Sequence, residues 1–255
     1  IAMVGGEYPN LRVMNQWTWH SRLYRAADYV TRHPHLELVE LNSFGCGLDA
    51  VVTDQVQEIM HQRGRLYTCL KIDQSLNLGA VRIRLRSLKA AIEERGEETG
   101  SAKPIEYPKA VFTEAMKRDK DYTILAPEMS PIHFPIIEAA VQREGYHIEI
   151  IPPIHEDIDK GLSCVNNDAC YPAIITIGSL MRALTSGKYD LSKTAVMLSQ
   201  TGGMCRASNY VGFLHKALDE AGLSDIPVIS LNTHGFEPQP GFHFSLSMGR
   251  RMIQA

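Results

Sequence analysis

The sequence predicts an α/β protein in which parallel strands alternate with crossover helices. Short β-branched runs recur along the chain, segments of helical period lie between them, and glycines close several of those segments. With 44% hydrophobic and 22% charged residues over 255 positions, there is apolar material for one large or two small cores.

The elements are read in chain order. In NQWTWHSRLYRAADYV, Trp17 and Trp19 precede an apolar-periodic helix and either anchor it or form an exposed face for docking missing domains. LELVEL (36–41) reads as a strand, 50–61 as a helix stopped by Gly64, LYTCLKI (66–72) as a second strand and 78–92 as a second crossover helix. Over 93–121 the text turns charged and irregular, which marks a domain boundary. Beyond it come strands at 122–125, 147–151, 194–198 and 226–231, with helices at 131–143, 172–184 and 206–221. Gly145, Gly187 and Gly222 stand where those helices should stop, while Pro131 and Pro172 stand near helix starts, where a missing N–H costs nothing. The expected organisation is a first unit over 1–100, a linker over 101–120 and a second unit over 121–255. Each is a Rossmann-like or flavodoxin-like parallel sheet with helices on both faces.

Composition narrows the function. A formal charge of −3 argues against a nucleic-acid or membrane-surface binder, because both partners demand concentrated positive charge. No apolar run approaches the roughly 20 residues that span a bilayer. The chain opens at Ile1 in what reads as ordered sequence rather than a signal peptide, so a cytoplasmic fragment of something longer is expected, incomplete at its start and continuing past its end. Five cysteines, an odd number, point to reduced thiols used for metal binding or redox chemistry rather than to a disulfide framework.

Three of those cysteines share a setting. Cys46 in NSFGCGLDA and Cys205 in SQTGGMCRA follow expected strands, Cys170 in VNNDACYPA precedes Pro172, and each stands just before an expected helix. In open α/β sheets, loops at the carboxyl ends of strands converge on the ligand crevice, and a helix's positive end favours a thiolate. Gly45, Gly47, Gly202 and Gly203 leave room for a bulky group to approach the backbone. The plainer account is that glycine-rich turns are ordinary punctuation and that free cysteine packs as a small hydrophobe. That account suits Cys69, which interrupts an apolar strand; Cys164 lacks the helix-start setting and is held as a reserve ligand. Three thiols on three loops, without a close Cys-x-x-Cys pair, suit an iron–sulfur cluster with three protein ligands better than a structural zinc.

The phrases LNSFGCGLDAVVTDQV, YTCLKIDQSLNLGAVRIRLRSL, PEMSPIHF, VNNDACYPA and SQTGGMCRASNYVGFLHKALDEAGL carry a resemblance that goes beyond spacing. They are similar to the carboxyl-terminal part of the large CoA-substrate-specific enzyme activases, relatives of the 2-hydroxyglutaryl-CoA dehydratase system. The resemblance implies a dehydratase-subunit-like fold and an oxygen-sensitive four-iron four-sulfur protein in anaerobic metabolism, coupled to ATP-driven, low-potential electron transfer. Cys46, Cys170 and Cys205 occupy the motif positions. The resemblance also implies an ATPase module upstream, so that ATP belongs to that module, and a dehydratase-like partner or CoA-thioester substrate. Whether Cys46 shares a site with Cys170 and Cys205 stays open at this point.

Other residues admit two readings each. Arg206 beside Cys205 either meets an anionic group or is a solvated first-turn arginine, and Asn167 in NND either donates to cluster sulfurs or belongs to a turn. Gln200 and Thr201 lie at a strand end facing the crevice. His133, near a helix start, is a candidate proton carrier or a hydrogen-bonded structural residue. Of Arg82, Arg84 and Arg86 in VRIRLRSL, only the first and last share a helical face, available to CoA phosphates, a neighbouring domain or solvent. Two functions follow: an iron–sulfur redox module acting toward a CoA thioester or similar substrate, or a non-catalytic interaction domain that couples an ATPase to a partner without binding a cluster.

Overall fold

The computed structural model describes residues 9–43, 47–72, 78–95, 105–203, 205–231 and 239–243. It is an α/β protein with two parallel sheets. The chain divides into two compact units, one of residues 1–107 with 166–169, the other of residues 108–165 with 170–255.

In the first unit, α1 (Thr18–Thr31) and α2 (Gly47–Gln62) pack together, and β1 (Val39–Ser43) pairs in parallel with β2 (Thr68–Ile72). Tyr24, Ala27, Val52, Val56, Ile59 and Met60 form its core, with one stripe from each helix. Strand β1 starts later than the sequence suggested, because a turn from His33 to Leu36 holds the chain out of the sheet. α3 (Leu78–Arg95) contacts β2 but has no fully buried residue, and Ile83 is 65% exposed. Trp17 caps α1, whereas Trp19 is 72% exposed with the Arg22 guanidinium over its ring.

The second unit opens with the short α4 (Glu114–Arg118), inside the stretch read as a linker. It then runs β3 (Thr123–Pro127), α5 (Phe134–Arg143), β4 (Ile148–Ile151), α6 (Glu156–Leu162), α7 (Tyr171–Thr185), β5 (Thr194–Ser199), α8 (Tyr210–Glu220) and β6 (Val228–Leu231). The sheet order is β4-β3-β5-β6. Alternation along the strands splits the core between two faces. Ile124, Ala126, Ile148, Ala195, Met197 and Ile229 pack with Ala140 and Val141 of α5, while α7 and α8 bring Ile177, Leu180 and Leu214, all fully buried, to the unit's core. The expected stops at Gly64, Gly145, Gly187 and Gly222 all have positive φ, which only glycine adopts without strain.

Candidate functional site

Topology places the site in the second unit. The chain leaves β3 for β4 on one side and later returns to β5 on the other, so the carboxyl ends of β3 and β5 flank a switch point of the kind that receives ligands in open α/β sheets. The segment after β3 carries His133, which caps α5; its Nδ1 lies 2.8 Å from Ser130 Oγ and the residue is exposed. This is the hydrogen-bonded reading of His133. At the end of β5, Ser199 Oγ reaches Met129 Sδ from the β3 side at 3.6 Å.

Cys205 follows β5 and Cys170 caps α7, each with extended backbone. α7 leads back into the start of β5, so its own start, with Cys170, lies toward the carboxyl edge of the sheet. Both sulfurs relate to one side chain. Tyr210, the first residue of α8, has its hydroxyl 2.7 Å from Cys170 Sγ. Burial raises the Tyr210 phenol pKa first, the hydrogen bond to Cys170 and the charges of Cys170 and Cys205 raise it further, and Arg206 opposes them. Cys170, Cys205 and Arg206 thus lie within electrostatic reach of the Tyr210 phenol.

One expectation is corrected, and two site readings are placed in their local setting. The helix placed at 206–221 is split: Arg206–Asn209 form a 3-10 turn and α8 begins only at Tyr210, so Cys205 caps the turn rather than the α-helix. Ser208 is the physical reason. Its hydroxyl bonds to the Gly203 carbonyl and to Thr201 Oγ1, which holds the chain in a local loop before the helix starts. The glycine argument also divides. Gly202 needs glycine for its φ of +67°, whereas a Cβ on Gly203 would meet nothing within 4 Å. Asn167 is an exposed turn residue: the Asn166 side chain accepts from Asp168 N at 2.9 Å, and this turn belongs with the first unit, where Asp168 pairs with Lys71.

The remaining candidates lie elsewhere. Gly47 opens α2 and is buried, while Gly45 and Cys46 lie outside the described residues. Cys69 is half-buried in β2, and burial raises its pKa. Cys164 follows the end of α6, with Ser163 Oγ 3.5 Å from its sulfur. Arg84, exposed like Arg82 and Arg86, donates to the Cys69 carbonyl at 3.3 Å. Among the described residues, no group of three or more His, Cys, Asp and Glu side chains is arranged to hold a metal ion. Tyr210 is the residue that sequence reading missed, because its meaning comes from a contact with Cys170 forty positions away.

No family model, no curated protein and no solved structure matches the chain.

Proposed function

We propose that the chain is an iron–sulfur redox module of the activase kind, with Cys170 and Cys205 as two ligands of a four-iron four-sulfur cluster. The observation that carries this is the 2.7 Å contact of Cys170 Sγ with the Tyr210 hydroxyl at the carboxyl edge of a parallel sheet, where Cys205 follows β5. The donor set fits in kind. Thiols are the usual ligands of such clusters, and a hydroxyl beside one sulfur is the type of contact that sets cluster potential. When bound, the cluster supplies one-electron chemistry at low potential. Arg206 then offers positive charge to an anionic substrate such as a CoA thioester, and Tyr210 orients the Cys170 sulfur. Each unit reads as Rossmann-like or flavodoxin-like, in the manner of the dehydratase subunits. ATP belongs to an upstream module, and the setting is cytoplasmic. Among the described residues, no helix is long and apolar enough to cross a membrane.

Anaerobic reconstitution with iron and sulfide tests the proposal. The expected product is brown and holds about four irons per chain, and Cys170→Ser and Cys205→Ser each lose most of that iron. Protein that stays colourless, or full iron in the Cys170→Ser and Cys205→Ser variants, overturns it. The exposed α3 favours a second reading, an interaction domain without a cluster, and colourless reconstituted protein is the result that this reading expects.

A further inference from the structure

We infer that Glu40 is a buried proton-binding site that couples pH to the packing of the first unit. It lies on β1 at 3% exposure, on the covered face it shares with Asn42. The Tyr67 hydroxyl donates to its Oε2 at 3.1 Å, and Cys69 stands opposite it in the parallel register. From α1, Tyr24 lies fully buried within Coulombic reach of Glu40, and its hydroxyl has no hydrogen-bond partner among the described residues. From α2, Asp49 faces the group with like charge. Lys71 of β2 and Arg84 of α3 act on Cys69. Among the described residues, the groups that act on Glu40 itself are Tyr67 and Asp49, neither of them a cation.

A carboxylate buried without a cation keeps its proton, because the charged form loses its hydration and gains too little in return. Burial is the first cause that pushes the Glu40 pKa up, to about 7; Asp49 adds to it and the Tyr67 hydroxyl works against it. The consequence for stability has a definite sign. From an ordinary value of 4.5 up to about 7, the unfolded chain gives up the proton while the folded chain holds it. Stability therefore falls as pH climbs through that window and levels off above it. His20, whose pKa burial lowers while Asp49 opposes, contributes with the opposite sign, so the difference between wild type and Glu40→Gln isolates Glu40. This inference stands apart from the cluster proposal.

Both tryptophans of the chain, Trp17 and Trp19, belong to the first unit, so their fluorescence reports its unfolding. In urea titrations between about pH 5 and about pH 8, the wild-type midpoint is expected to fall as pH rises. Glu40→Gln is expected to raise the midpoint at the alkaline end and to remove most of that fall. A Glu40→Gln protein with the wild-type pH dependence overturns the inference. Side-chain carbon NMR of wild type labelled at glutamate δ-carbons serves if the variant does not fold. One glutamate titrating near neutrality, absent from spectra of Tyr67→Phe in that range because its pKa has moved higher, is the expected result; all glutamates titrating in the ordinary range overturns the inference.

Discussion

Asp157 shows how much one side chain settles in this fold. It is fully buried at the start of α6, where one oxygen accepts from Ile154 N at 2.8 Å and both face the Arg182 guanidinium of α7. Arg182 Nη2 also reaches the Pro152 carbonyl at 3.1 Å, so the pair ties the segment after β4 to both helices. Removing one partner of a buried, hydrogen-bonded pair leaves the other desolvated and uncompensated. Asp157→Ala is expected to cost about 3 kcal/mol in chemical denaturation followed by circular dichroism, with Asp157→Asn losing less because it keeps an acceptor for Ile154 N. Equal losses for the two would mean that the negative charge, rather than the backbone contact, governs the site. Sequence reading did not single out Asp157, since IHEDIDKG offers three acidic side chains and nothing local tells which one turns inward. The helix-start setting of Cys170 could be read locally, whereas that of Cys205 could not, and Tyr210 lay in plain sight as one more aromatic of an amphipathic helix.

At the scale of elements, periodicity revealed the strands and the long helices but not α4 or α6. Five and seven residues are too few for a 3.6-residue period to show, and these helices exist because their neighbours hold them. For α6 that neighbour is α7, and the contact is backbone against backbone. A Cβ on Gly178 would come within 1.9 Å of the Asp157 carbonyl oxygen, and one on Gly161 within 2.1 Å of the Ile174 carbonyl oxygen. Neither carbonyl can swing aside as a flexible side chain would, so the helices must separate. Gly178→Ala and Gly161→Ala are each expected to cost about 3 kcal/mol, at the upper end of overpacking, or to prevent folding. Gly203→Ala supplies the contrast, because its Cβ would enter open space and its φ is not in the left-handed region; its effect is expected within about 0.5 kcal/mol. Thermal denaturation of the three variants separates close approach from mere turn composition. A large loss in Gly203→Ala would show that the loop before Cys205 is more tightly constrained than its contacts indicate.

At the scale of the whole molecule, the two-unit organisation was visible in the charged, irregular text after residue 93, and the units change at residues 107 and 108. What the text could not show is that residues 166–169, flanked on both sides by the second unit, belong with the first, because that depends on a long-range pairing such as Lys71 with Asp168. Each unit has its own cluster of buried side chains, one around Tyr24 and Ile59 and the other around Ile124 and Ile148. Ile59 of α2 and Ile177 of α7 are both fully buried, so truncating either to alanine leaves a cavity and is expected to cost about 2–5 kcal/mol. The location of the loss distinguishes them. Ile59→Ala is expected to lower the urea midpoint seen by tryptophan fluorescence, since both tryptophans lie in the first unit. Ile177→Ala is expected to lower the midpoint of the helical signal while leaving the tryptophan transition in place. If both variants shift both signals by the same amount, the chain unfolds as one cooperative block, and the division into two clusters has no energetic counterpart.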